Sequence, residues 1–209
     1  KLFVEECRAD LMSPEIRDEV IKLIRYTTYQ RNPETELEHV FACCDLAIFE
    51  KDFTTQLKFE KQIQKEFAWV PLTTYVPERI KVLDKLRGLY FGHVENRFCS
   101  THKLIHYLEN KKWNVGVYAG SFYPLHRGHY DIFLQAEKMF DKVIILQSPE
   151  SHIKQKTNFI WDQEKYGRLN HIFDNYETHV IRGLITDNLR HFQLGGNVNV
   201  TLIRGLRNG

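Results

Sequence analysis

Two short β-branched runs, Val115-Gly-Val-Tyr-Ala119 and Val143-Ile-Ile-Leu-Gln147, stand about a helix's length apart and narrow the choice of fold more than any other feature. Strand, helix, strand in that order is a βαβ unit, because two parallel neighbours need a crossover that returns the chain to its starting end. Further strands are predicted at 177–181 and 198–203, with helices near 161–173 and 186–192. Such alternation implies an α/β fold with a parallel sheet and right-handed crossovers.

The residues before Trp113 read differently. Ser13 and Pro14 form a cap followed by proline at the first helical position, and Ile16, Val20, Leu23 and Ile24 then share a face. Phe59, Ile63 and Phe67 recur every four residues, as do Arg79, Leu83 and Arg87, with Ile80 and Leu86 beside them; Pro71 and Pro77 are expected to separate the segments. A last helix is predicted over 96–110 with Phe98, Thr101, Ile105 and Leu108 inward, and Cys43-Cys44 are expected in a buried helix. With 209 residues the chain is long enough for two units, 1–111 helical and 112–209 α/β, meeting near Lys111-Lys112.

Charge excludes some partners. The 29 basic and 27 acidic residues leave a net +2, so no bulk field gathers nucleic acid or an anionic membrane, and an anion site must be local. No apolar run approaches the roughly 20 residues that span a bilayer. Cys7, Cys43, Cys44 and Cys99 lack CxxC spacing and are read as reduced thiols, which with the absence of a targeting pattern gives a cytoplasmic expectation.

The chemistry concentrates in Gly120-Ser-Phe-Tyr-Pro-Leu-His-Arg-Gly-His129, between the first strand and a helix whose inward face is Ile132, Phe133, Ala136 and Phe140. In an open parallel sheet, ligands bind beyond the carboxyl ends of strands, where a helix start offers unpaired N–H groups and a partial positive charge to phosphate. Gly120 allows a tight turn, Pro124 stiffens the loop and Gly128 permits close backbone approach. Ser121, His126 and His129 can donate to phosphate oxygens without a metal. An isolated HxGH is as readily a helix cap beside a surface histidine; the flanking residues shift the balance towards phosphate here.

Gly-Ser-Phe-x-Pro-x-His-x-Gly-His resembles the signature of the nucleotidylyltransferase superfamily, and Ile203-Arg-Gly-Leu-Arg-Asn208 after the last strand resembles the second motif of the phosphopantetheine adenylyltransferase family. Gly183-Leu-Ile-Thr-Asp187 resembles that family's pantetheine-contacting loop. The resemblance covers 114–209 and implies a Rossmann-like nucleotidyltransferase domain of coenzyme A biosynthesis, transferring adenylyl from ATP to 4'-phosphopantetheine and releasing pyrophosphate. It implies catalytic roles for His129, Ser121 and His126, and nucleotide binding by Gly120, Phe122, Gly128, Arg204, Gly205 and Arg207. Leu184 and Ile185 would contact substrate, with either Lys154 or Lys156 on its phosphate. Magnesium would ride on the ATP phosphates, and a homo-oligomer is implied. Two departures stand out: Tyr123 replaces the family's usual aspartate and Ala119 a frequent proline. The family continues past the position of Gly209, so part of the adenine site is expected to lie beyond it.

Phe41-Ala-Cys-Cys-Asp-Leu-Ala-Ile-Phe49, with Lys65-Glu-Phe-Ala-Trp-Val-Pro71 and Arg79-Ile-Lys-Val-Leu83, resembles the C-terminal part of predicted HD-type metal-dependent phosphohydrolases. The resemblance makes Asp45 a metal ligand and the chain bifunctional; the remaining ligands would lie upstream of Lys1. Tyr29 and Gln30 stand where that group often has histidine, which points to a degenerate site. His102 and His106, at i and i+4, have metal-compatible spacing but no evident carboxylate or cysteine partner. Two other functions are compatible with the first motif: adenylyl transfer to nicotinamide mononucleotide, and a non-catalytic nucleotide-binding module serving the HD-like half.

Overall fold

The computed structural model describes residues 13–90, 99–122, 125–147, 173–181, 183–193 and 197–204. The chain divides into two compact units, Lys1–Phe59 with Arg79–His106, and Glu60–Glu78 with Tyr107–Gly209.

In the first unit, helix α1 (Pro14–Tyr26) begins at Ser13, whose hydroxyl accepts from the Ile16 amide at 3.4 Å, with proline at the first helical position. Its buried stripe differs from the expected one. Ile16 and Ile24 are 56% and 40% exposed, and the inward face runs through Val20, Leu23 and Tyr26, where Tyr26 meets Tyr29 edge to face at 5.4 Å. Helix α2 (Glu36–Asp45) is capped by Thr35, which accepts from the Glu38 amide at 3.1 Å. Glu38 is buried, takes Arg31 in a bidentate pair at 2.8 and 2.5 Å, and accepts the Glu34 amide. Cys43 is half-buried and Cys44 exposed, against the expectation of a buried pair; Ala42 and Leu46 point inward instead. A 3-10 turn (Ala47–Glu50) leads to helix α3 (Phe53–Glu66). Buried Gln56 holds that junction by donating to the Phe49 and Lys51 carbonyls while accepting from Thr101.

Helix α4 (Leu72–Tyr90) follows Pro71, but Pro77 does not break it: the proline sits inside the helix. A proline there removes one backbone hydrogen bond, and the helix continues through it with Tyr75 before it and Leu83 after it buried. Phe59 and Phe67, expected inward, are 40% and 44% exposed, while Gln56 and Glu60 are buried. Tyr75 donates to the Glu60 carboxylate at 2.7 Å, so α3's inward stripe is partly polar and its apolar period misleads. Helix α5 (Cys99–Asn110) buries Thr101, Leu104, Ile105 and Leu108, the expected face. Phe98 lies outside the described residues.

The second unit holds a mixed α/β domain. Strand β1 (Trp113–Gly120) leads through helix α6 (Arg127–Met139) to β2 (Lys142–Gln147); β3 (Thr178–Val180), helix α7 (Ile185–Gln193) and β4 (Val198–Ile203) follow. The sheet is parallel with order β3-β2-β1-β4. Every residue of β2 is buried, as a central parallel strand covered on both faces requires, whereas β4 alternates in exposure as an edge strand does. The core under α6 gathers Tyr118, Phe122, Phe133, Ala136, Val143, Ile145 and Phe173. Of the helix expected near 161–173, only Phe173 is among the described residues. Pairing of β3 with β2 reaches the predicted 177–181, since Ile145 donates to the Glu177 carbonyl and Ile181 to the Gln147 carbonyl.

At the start of β2, Lys142 and Glu177 form an ion pair at 2.7 Å with side chains only 4% and 7% exposed. Lys142 also donates to the Val70 carbonyl, and Glu177's other oxygen meets His179 at 2.8 Å. Burial pushes the Lys142 ammonium below its usual range, partly offset by Glu177. Burial alone would raise the Glu177 carboxyl, but the His179 hydrogen bond and the Lys142 charge outweigh it and hold it low.

Candidate active site

The sheet order places a topological switch at the carboxyl end of β1. From β1 the chain passes through α6 to β2 and β3 on one side, then returns to β4 on the other. The connections leaving neighbouring strands run to opposite sides there, which is where open α/β sheets form the crevice that binds ligands.

Ser121 and Phe122 follow β1 directly. Phe122 has φ +49, a left-handed backbone that a bulky residue adopts only when its surroundings enforce it. The enforcement is visible in the ring, which is 1% exposed, edge to face with Tyr118 at 4.9 Å and within 6.4 Å of Phe173. A Cβ on Gly120 would stand 3.2 Å from that ring, so the glycine makes room for the packed turn. Only the backbone of Phe122 is left to meet a nucleotide.

The same ring touches His129 edge on, at 5.6 Å. His126 occupies the N-cap position of α6 in extended conformation, and its amide donates to His129 Nδ1 at 3.3 Å in a capping-box arrangement. The two imidazoles stack at 3.8 Å with planes 26° apart. An Nδ1 that accepts a hydrogen bond leaves the proton of neutral His129 on Nε2, the nitrogen that can then donate to a phosphate oxygen. A Cβ on Gly128 would stand 3.2 Å from the His126 ring, so this glycine serves the histidine stack as well as any ligand approach.

Arg204 follows β4. Because Ile203 pairs with Tyr118, Arg204 leaves the sheet at the end where Gly120 and Ser121 turn off β1. It is exposed, and no carboxylate pairs with it among the described residues. Gly183 (φ +75), Leu184 and Ile185 follow β3 at that same end, with Leu184 69% exposed. The structure therefore brings Ser121, His126, His129, Arg204 and the Leu184-Ile185 turn to one end of the sheet. Tyr123, Lys154, Lys156, Gly205 and Arg207 lie outside the described residues.

Asp45 is elsewhere, at the exposed end of α2, where its carboxylate accepts the Tyr29 hydroxyl. Tyr29 is buried and has φ +45. Among the described residues no group of three or more His, Cys, Asp or Glu could hold a metal ion, and His102 and His106 are both exposed.

Sequence reasoning missed two features. Tyr118 buries its hydroxyl under α6 with no partner among the described residues, and burial raises its pKa. The Lys142–Glu177–His179 chain also escaped notice, although a lysine opening an otherwise apolar strand was its signal.

Residues 117–206 match the family model described as Cytidylyltransferase-like, and the parallel sheet of the second unit is of the Rossmann-like α/β class. Within that class, the phosphopantetheine adenylyltransferase of Bordetella pertussis is 34% identical over 96 residues, covering 44% of this chain and 52% of the relative. That of Clostridium tetani is 37% identical over 97 residues, covering 45% and 56%. That of Wigglesworthia glossinidia brevipalpis is 32% identical over 101 residues, covering 48% and 55%. The chain spans about half the length of the curated relatives it matches. Among the described residues no helix is long and apolar enough to cross a membrane.

Proposed function

We propose that the second unit transfers the adenylyl group of ATP to 4'-phosphopantetheine, giving dephospho-coenzyme A and pyrophosphate. The observation that carries this reading is the convergence of Ser121, His126 and His129 after β1 with Arg204 after β4 at the switch point, in the segment similar to phosphopantetheine adenylyltransferases. The acceptor's phosphate oxygen attacks the α-phosphorus of ATP in line, and the bond to the leaving pyrophosphate breaks. Such a step needs positioning and charge neutralisation, not a nucleophilic side chain. His129, through Nε2–H, and Ser121, through its hydroxyl, stabilise the charge that builds on the α-phosphate oxygens. His126 fixes the tautomer and rotation of His129. Arg204, with Arg207, holds nucleotide phosphates, while backbone at Gly120, Phe122, Gly128 and Gly205 lets them approach. Leu184 and Ile185 receive the pantetheine arm, and Lys154 or Lys156 its phosphate.

Magnesium is proposed to be carried chiefly by the ATP phosphates, where it would neutralise phosphate charge. The functional division we propose is 1–111 and 112–209, in a cytoplasmic homo-oligomer, although Glu60–Glu78 clusters with the second unit.

The helical region is proposed as an HD-like module with a degenerate metal site, because Tyr29 and Gln30 stand where similar proteins often have histidine and the Tyr29 hydroxyl engages the Asp45 carboxylate. Elemental analysis of the purified chain tests this; stoichiometric metal with phosphatase activity would overturn it.

Pyrophosphate release from ATP, measured with 4'-phosphopantetheine and separately with nicotinamide mononucleotide, tests the acceptor. Turnover with the first alone is expected, and turnover with the second alone would transfer the assignment.

A further inference from the structure

A cavity of about 280 Å³ lies at the amino ends of β1 and β2, the end of the sheet opposite the Ser121–His129 turn. Val70, Leu72, Phe140 and Val143 give it apolar walls. The polar groups at its base are already engaged. Asp141 accepts from the Lys111 ammonium at 2.6 Å and from the Asn114 amide at 2.9 Å, Lys142 pairs with Glu177, and Tyr176 donates to Glu137 at 2.7 Å. Lys61, Lys65 and Lys138 also line it, and none has a carboxylate partner among the described residues.

Helix C-termini attract cations, which accounts for Lys65 and Lys138 in the last turns of α3 and α6. It does not account for Lys61, a turn earlier. Lys61 and Lys65 stand at i and i+4, where like charges repel unless an anion lies between them. Nor does it explain why an apolar hollow stays open beside the three ammonium groups, with Phe67 and Met139 on its lining 44% and 76% exposed. The three lysines outnumber Glu137, the lining carboxylate whose partner is only the neutral Tyr176 hydroxyl, and an excess of cations next to uncovered apolar surface matches a ligand that carries both complements.

We propose that this cavity binds a small amphipathic organic anion, its apolar body against Val70, Leu72 and Phe140 and its acidic head among Lys61, Lys65 and Lys138. The site is independent of the adenylyl-transfer reading, since it occupies the other end of the sheet. Either a carboxylate or a phosphate ester supplies the head-group chemistry.

Calorimetric titration of the full chain with octanoate and with octyl phosphate tests the proposal, the tighter of the two identifying the head group. Saturable binding is expected, weakened about tenfold or more in Lys61→Glu/Lys65→Glu and in Lys65→Glu/Lys138→Glu. These lysines are at the surface, and far-UV circular dichroism confirms that the variants fold. Octanol and inorganic phosphate, each carrying half the recognition, are expected to bind at least tenfold more weakly than the better anion. Bound octyl phosphate or octanoate should also protect Lys61, Lys65 and Lys138 from acetylation, read by mass spectrometry. The proposal falls if neither anion saturates, if the lysine variants bind as wild type does, or if octanol or phosphate alone binds equally well. It falls too if His129→Ala abolishes binding, because the probe would then be in the phosphate turn.

Discussion

Replacing Glu177 by Gln keeps the shape of the side chain and a partner for His179, but leaves the Lys142 ammonium, 4% exposed, without a counter-charge and with neutral oxygens alone around it. Removing one partner of a buried ion pair costs about 3–5 kcal/mol, because the remaining charge is dehydrated without compensation. The loss has a ceiling. A lysine can enter the folded state neutral, and for an ordinary lysine deprotonation at pH 7 costs about 5 kcal/mol. That escape route becomes easier by about 1.4 kcal/mol per pH unit, so the difference between Glu177→Gln and wild type should shrink to about 2 kcal/mol by pH 9. At pH 7 the variant should melt roughly 6–20 °C lower. The double variant Lys142→Met/Glu177→Leu, which removes both charges, should lie within about 1–2 kcal/mol of wild type. Urea unfolding followed by circular dichroism at pH 7 and pH 9 reads all three. A Glu177→Gln variant within about 0.5 kcal/mol of wild type at pH 7, or a penalty that grows with pH, would refute the reasoning.

Gly116→Ala should destabilise the sheet by about 1–2 kcal/mol: the new methyl would stand 2.7 Å from Ile203 and from the stiff Phe140 ring, and overpacking of about 1–3 kcal/mol exceeds the 0.5–1 kcal/mol gained by removing a strand glycine. Urea midpoints measure the sign. The Arg31 guanidinium, with the Glu34 amide, holds the Glu38 carboxyl at about 2, below the ordinary 4.5. A depressed acid contributes stability above its unfolded pKa and loses it as pH falls through the folded value, so melting of the wild type should fall from about pH 5 towards pH 2, and more shallowly in Arg31→Ala. Ser121→Ala should lower adenylyl transfer by roughly tenfold to a hundredfold while leaving ATP affinity nearly unchanged, as loss of a transition-state donor does; parallel turnover and binding assays check it.

Much of the second unit was legible because parallel strands and their crossovers declare themselves locally. The β-branched runs at 115–119 and 143–147 can hardly be anything else, and the Gly120–His129 turn marks where they expose a helix start. The helical half was less legible because its inward stripes are not purely apolar. Gln56 and Glu60 are buried through hydrogen bonds to Thr101 and Tyr75, partners distant in sequence, while Phe59 is left outward. Pro77 reads as a stop, yet the helix continues through it with buried residues on both sides. At the site, residue types indicated phosphate chemistry, but they could not show that Phe122 would be buried in a left-handed backbone against His129, or that His126 would set the tautomer of His129. The first depends on Phe173 arriving from far along the chain to pack on the ring, and the second on the exact cap geometry of α6.

The most direct test of the central claim is pyrophosphate release by the full chain with ATP and 4'-phosphopantetheine, wild type beside His129→Ala, with ATP affinity measured on the same samples. Saturable turnover in the wild type is expected to fall about a hundredfold or more in the variant, with ATP binding within about threefold. Wild-type protein that binds ATP but releases no pyrophosphate, or turnover that survives His129→Ala unchanged, would contradict the account.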